Sequence, residues 1–267
     1  MLPSSTSPRR HLALVCLTTL LLCAPGVQAQ PVPLSDADLG RVWGQALIDI
    51  TNTSLNGLDF TRMTLNADIS MSANFSNIRL GEYSYNTRNA SGADLDITRL
   101  QIGRSDLGDA NRLVSFTNPY FELAYANVGS AGTRDVVGVR FGFEGVSGQL
   151  GVQINTVSGS VAISDGAGHV LDSRSDPLGG KRWDGTSCGA SACPFTLANI
   201  GALQLGDANG PSRDMFIAMV KQAVQFPAAT PSTPLPDITQ PGFWLNLRDR
   251  IAAANLTAQL PPNLPKP

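Results

Sequence analysis

Cys188 and Cys193 are the residues whose type and spacing point most directly to chemistry. They stand in C-G-A-S-A-C, a run of otherwise small residues. In an oxidising compartment such a pair is expected to close a local disulfide, with two free thiols as the alternative. The spacing excludes a C-x-x-C redox pair, and no further ligands accompany the two thiols to make a metal site. Residues 185–189, G-T-S-C-G, have the G-x-S-x-G form of a nucleophile elbow. An elbow needs a strand before it, a helix after it and a triad His later in the chain. Here the motif lies in a Gly/Cys loop, and the one His beyond residue 29, His169, precedes it. His169 itself, in D-G-A-G-H-V, reads as a solvated loop residue. Asp94 and Asp96 share a strand face, but period-two spacing gives solvated carboxylates far more often than a catalytic pair. Residues 207–214, D-A-N-G-P-S-R-D, offer oxygen ligands for calcium yet lack the sixth-position Gly and terminal Glu of a calcium loop, so they read as a turn. No residue is therefore assigned a catalytic, cofactor-binding or metal-binding role, and no cofactor is expected.

The start of the chain bears on the compartment. Arg9 and Arg10 precede an apolar run from Leu12 to Cys23, and Val27-Gln28-Ala29 forms a small-residue cleavage site. This is the pattern of a secretory signal peptide over residues 1–29, and its apolar run is too short for a confident membrane span. Cleavage after Ala29 would leave 238 residues (267 − 29) with a formal charge of −4 (17 − 21). A mildly acidic chain without a basic cluster argues against nucleic acid and against an anionic membrane surface as partners. No later stretch is long and apolar enough to span a bilayer as a helix. The expected location is the periplasm, the outer membrane's periphery or the cell surface.

The elements that would position these residues are mostly strands. The stretch at residues 135–164 organises the reading: Val137, Val139, Phe141 and Phe143 alternate with small or polar residues, then Leu150, Val152 and Ile154, then Val161 and Ile163. Period-two alternation puts one set on one face. It predicts at least three strands joined by short Gly/Ser turns, with Phe141 pointing inward and Arg140 outward. Residues 64–77 predict one half-buried strand, with Leu65, Ala67, Ile69, Met71, Ala73 and Phe75 on one face. Further strands are expected over residues 46–52, 93–102 and 119–125, with Asn56-Gly57 as a turn. Residues 215–226 fit a helix or a strand, with the strand preferred. Ser35 can cap a short N-terminal helix that ends at Gly44, and a short helix is expected over residues 248–256. A pattern recurs as I-R-L-G-E (78–82), L-Q-I-G-R (100–104) and L-Q-L-G-D (203–207). Its spacing is uneven, so each copy reads as a strand end closed by a turn Gly rather than as a repeat unit.

The fold class expected is mainly β: a single domain of antiparallel sheets, as a sandwich or an elongated meander, with the two short helices. The domain plan is a signal peptide (1–29), a β-rich domain (30–226), a Pro-rich linker or arm with five prolines in residues 227–241 (227–242), a C-terminal segment that packs back (243–260) and a disordered tail (261–267).

Four segments carry a resemblance: L-S-D-A-D-L-G-R-V-W-G-Q after the signal peptide, N-P-Y-F-E-L-A-Y, V-V-G-V-R-F-G-F-E-G-V-S-G-Q-L and P-G-F-W-L-N-L. Together they resemble a family of uncharacterised exported proteins of Gram-negative bacteria, some labelled pilus-system or filament-associated. The resemblance implies an envelope or surface role and brings no catalytic residues. The expectation is a secreted, non-enzymatic β-rich protein, adhesive or filament-associated, with further copies of itself or envelope proteins as partners. The alternative is a carrier of a lipid or other apolar ligand, suggested by the one-sided run from Leu65 to Phe75.

Overall fold

A computed structural model of the chain describes residues 47–85, 90–128, 133–173 and 197–264. The signal peptide, the helix expected at 35–44, the Cys188/Cys193 pair and the G-T-S-C-G motif lie outside these residues. All described residues belong to one compact unit, Trp43–Pro267. In chain order its strands are β1 (Ile48–Leu55), β2 (Leu58–Leu65), β3 (Asp68–Met71), β4 (Ala73–Tyr85), β5 (Ala90–Ile102), β6 (Val114–Val128) and β7 (Thr133–Val157). They are followed by β8 (Gly159–Ser164), β9 (Val170–Asp172), β10 (Ala202–Leu205), β11 (Ser212–Val220), β12 (Gly242–Leu247) and β13 (Ile251–Asn255). The protein is mainly β, and these strands form one mixed sheet.

Everything hangs on β7, a single strand of 25 residues. The turns expected inside residues 135–157 do not form. The Gly145-Val146-Ser147-Gly148 stretch is instead where β7 changes neighbours: its first half pairs with β6 and β11, its second half with β5 and β10. Gly148, at φ 136°, takes the backbone through this exchange in a conformation that a side chain disfavours. The pairings β7–β10–β13–β8–β12–β11 then return to β7, which closes a ring of six strands. Because β8 runs parallel to both β12 and β13, the sheet is mixed rather than purely antiparallel.

Three further expectations are corrected. Residues 64–77 are not one strand but the end of β2, all of β3 and the start of β4. The cause is Asn118 of β6, whose φ of 48° interrupts the ladder that β2 and β3 both share; its N–H donates instead to Ala67 O at 3.0 Å. Ile69 and Phe75 consequently end up exposed. The helix expected over 248–256 is β13: I-A-A-A-N has good helix formers, but the flanking strands β10 and β8 claim its backbone groups and Ile251 is buried. The ambiguous stretch at 215–226 begins as β11, with Phe216, Ala218 and Val220 all buried on one face. Gly103 and Gly206 do close β5 and β10, whereas Gly81 falls inside β4. The Asn56-Gly57 turn forms as read, joining β1 to β2.

Two apolar clusters result. The larger draws on the closed ring, including Val146, Leu150, Ile163, Leu205, Leu247 and Ile251. The smaller lies against the first half of β7 and includes Phe60, Phe216, Phe226 and Trp244. Phe226 immediately precedes the Pro-rich segment, which is folded back over the sheet. A bridge between Val224 and Thr239 closes it into a loop, with reciprocal N–H···O bonds of 3.0 and 2.8 Å.

Candidate functional site: an inverted sheet

The cross-strand register sorts the first half of β7 into two opposite faces. One row runs Arg62 (β2), Glu122 (β6), Arg140 (β7), Ala218 (β11) and Trp244 (β12). The adjacent row, on the other face, runs Ile50 (β1), Met63, Phe121, Phe141 and Ile217. The charged row is the buried one. Arg140 is 0% exposed and Glu122 1%, whereas Phe141 is 62% exposed. The inward and outward lists read from the sequence are therefore exchanged around Arg140. A bulge sets this parity: between Ala124 and Tyr125 the register slips and Val137 is the additional residue of β7, so Val137 packs inward although it shares odd numbering with Phe141.

The charged side chains of the buried face are furnished with partners. Glu122 accepts Arg62 Nε at 2.9 Å on one oxygen and Arg140 Nε at 2.6 Å on the other. Arg140 Nη1 reaches Asp214 Oδ1 at 3.4 Å, and Tyr120 OH donates to the same oxygen at 2.6 Å. The Pro-rich loop supplies the rest. Pro227 O accepts Arg140 Nη2 at 2.6 Å, Ala229 O accepts Arg62 Nη1 at 2.7 Å, and Ala229 N–H donates to Asp214 Oδ2 at 3.3 Å. The Arg140 guanidinium also lies against the rings of Tyr120, Phe216 and Phe226, with centroids at 5.1, 4.8 and 4.7 Å. Room for this cage comes from Gly142, since a Cβ there would stand 2.5 Å from Tyr120 Cζ and 2.8 Å from Phe216 Cβ. Burial lifts the Tyr120 hydroxyl well above its ordinary pKa, so it stays a neutral donor. For Arg140 burial acts downward, but Tyr120, Asp214 and Glu122 outweigh it and the pKa is raised. A guanidinium held this firmly charged, with its N–H groups engaged, is suited to fixing structure rather than to moving protons.

The opposite face is apolar and open. Phe143 and Met215 on this face pack on the larger cluster. Two residues along each strand, Phe141 and Ile217 lie beyond that cover. The exposed row is thus an uncovered continuation of the core. Ile48, Met63, Leu65, Phe121 and Phe141 line a hollow of 320 Å³ on it. Farther along the same face Arg134 pairs with Asp59 at 3.7 Å. A contiguous exposed apolar row of this kind marks an association surface. The chain matches no family model, no curated protein and no solved structure.

The residues first considered for chemistry are not brought together. His169 Nδ1 lies 2.7 Å from Asp165 Oδ2 on an exposed turn, and this contact holds the Asp165 carboxyl below its ordinary pKa. Asp207 accepts Asn209 N–H at 2.7 Å in its own turn, while Asp214 faces inward to the arginines. Among the described residues no three His, Cys, Asp or Glu side chains are grouped to hold a metal. Asp94 is not solvated, as the strand reading had it, but buried: it accepts Ser158 Oγ at 3.1 Å and the Phe243 N–H at 2.9 Å, which ties β5 to β12. Asp96 takes Arg79 Nη1 at 2.6 Å. A cleft of 240 Å³ beside the loop holds Arg213 and Asp249, already joined by bonds of 2.8 and 2.9 Å. The sequence reading missed the Arg62–Glu122–Arg140 ladder. Its signal was one charge set among uncharged neighbours in each strand, Arg62, Glu122 and Arg140, in the order +, −, +.

Proposed function

We propose that the protein is a secreted, non-enzymatic component of the bacterial cell envelope or surface, adhesive or filament-associated, that works by association through the open face of the inverted sheet. One observation carries this reading: the row Ile50–Met63–Phe121–Phe141–Ile217 crosses five strands on the face left without cover. Leaving such a row in water forgoes about 25 cal/mol for each Å² of apolar surface, which a docked partner restores. The carrier alternative drew on a single one-sided strand through residues 65–75, which is divided among β2, β3 and β4. No helix among the described residues is long and apolar enough to cross a membrane.

A photo-crosslinking residue in place of Phe141, in producing cells, tests the proposal. The expected result is a protein adduct from the envelope fraction, together with loss of envelope retention in a folded Phe141→Asp variant. No adduct, with Phe141→Asp fractionating like the wild type, would sink the association reading. An adduct to lipid alone would favour the carrier.

A further inference from the structure

Four strands among the described residues have a single hydrogen-bonded neighbour: β1, β3, β4 and β9. Such edges are templates for another chain, and proteins guard them by shortness, bulges, charge or proline. β9 has 3 residues and β3 has 4. β4 is longer, but Asn77 and Gly81 break it with φ of 56° and 70°, and Arg79 and Glu82 charge it. β1 carries only one of these devices, a single charge. It is 8 residues, I-D-I-T-N-T-S-L, without proline, bulge or basic residue, and with one acid, Asp49. Ile48, Ile50, Thr51 and Thr53 are β-branched and favour strand. Seven of its residues are exposed.

The hairpin geometry tells which backbone groups of β1 are free. Asn56 and Gly57 both have positive φ, 51° and 79°, as in a type I′ turn, and Leu55 faces Leu58 across it. Leu55 and Leu58 are therefore a hydrogen-bonded pair. Antiparallel ladders alternate bonded and unbonded pairs. The N–H and C=O of Asp49, Thr51 and Thr53 thus turn toward β2, and those of Ile48, Ile50, Asn52 and Ser54 turn outward from the sheet.

We infer that β1 pairs antiparallel with β1 of a second copy of this chain, joining two inverted sheets across a two-fold axis. The inference rests on the association reading and extends that face across a second copy. A second copy is the partner that brings a bare edge and an apolar row at the same height, as an isologous contact requires. The register follows from three constraints. Keeping the two open faces on one side, with outward groups meeting outward groups, places even-numbered residues opposite even-numbered ones. Asp49 opposite Asp49 sets like charges against each other and is disfavoured. Thr51 opposite Thr51 puts Ile50 against Asn52 and steps the apolar row. Ile50 opposite Ile50 sets Asp49 against Thr51 and Ile48 against Asn52. It also continues the row from Ile217, Phe141, Phe121, Met63 and Ile50 of one copy into Ile50, Met63, Phe121, Phe141 and Ile217 of the other.

Sedimentation of the purified chain over a wide concentration range tests the pairing, with cysteine cross-linking to read the register. The wild type is expected to dimerise, and Ile50→Lys, which opposes two ammonium groups, to stay monomeric with an unchanged far-ultraviolet dichroism spectrum. With Cys188 and Cys193 replaced by Ser, Ile50→Cys should oxidise to a linked dimer faster than Asp49→Cys or Thr51→Cys. A wild type that stays monomeric throughout, or an Ile50→Lys variant that dimerises as well as the wild type, overturns the pairing. Fastest linkage at 49 or 51 overturns the register. If the chain is monomeric but Phe141→Asp still loses its envelope partner, self-pairing falls while association stands. If dimerisation holds but position 141 yields no adduct and Phe141→Asp is retained, association with the envelope falls instead.

Discussion

The two halves of β7 use the same alternating backbone to opposite ends. In the second half Leu150 and Val152 point into the apolar ring cluster and are buried. In the first half Arg140 points in, between Gly138 and Gly142, and Phe141 points out. What differs is the layer that covers each half. The second half meets hydrocarbon from β8, β10 and β13. The first half meets the backbone carbonyls of the Pro-rich loop, which a guanidinium can use and a phenyl ring cannot. Periodicity sets which residues share a face, while the chemistry of the covering layer decides which face is buried.

The sharpest way to break this comparison is Arg140→Ala. Removing one partner of a buried pair leaves Glu122 and Asp214 short of a cation, at a cost of about 3–5 kcal/mol. A urea midpoint that barely moves would show that the first half of β7 is not held by its charges. An intermediate effect is expected where the covering loop is fastened at its rim. Arg213 donates to Asp249 and to Ser232 O at 2.8 Å, and the Arg213 hydrogen bond holds the Asp249 carboxyl below its ordinary pKa. A carboxyl depressed in the fold takes up protons more readily when unfolded. Its contribution is therefore complete above the unfolded pKa of about 4 and lost as pH falls through the folded value. Asp249→Asn should lower stability by about 1 kcal/mol at neutral pH and have no effect in strong acid, as read by urea unfolding at both pH values. A difference that persists in acid would separate the loop from this ion pair. The smallest effect belongs to Phe141→Ala. Its ring meets that of Phe121 at a tilt, with centroids 4.8 Å apart, but is largely in water, so the loss should stay under about 1 kcal/mol. A larger loss would mean that Phe141 is covered after all.

Local signals in the sequence were reliable where one short stretch decided the outcome. Asn56-Gly57 needs only its own two positive-φ residues, and the strand β5 was legible from Ala93 to Ile102. The parity of β7 was not legible. Gly138 and Gly142 look like a bare outer face until Tyr120, Val220 and Phe216 are seen to fill the space above them. Nor was the burial of Arg140, because Glu122, Asp214 and Pro227 come from separate parts of the chain. The Ala-rich run at Ile251–Asn255 shows the converse, a local helix preference overridden by strands on both sides. Of the open apolar row, Phe141 was present in the alternation but assigned to the interior.

The loop carbonyls that cap the arginines also impose an order in time. Arg62 Nη1 bonds to Ala229 O across 167 residues of chain, and Arg140 Nη2 to Pro227 O across 87. A chain that emerges from its N-terminus first presents β2, β6 and β7 well before those carbonyls exist. Until then, burying the two guanidinium groups is costly and the three strands have no reason to commit to the inverted face. The C-terminal quarter therefore acts as a late-arriving key: the sheet takes its final facing only after residue 229 has been delivered, which keeps the apolar row from being fixed outward on an unfinished chain.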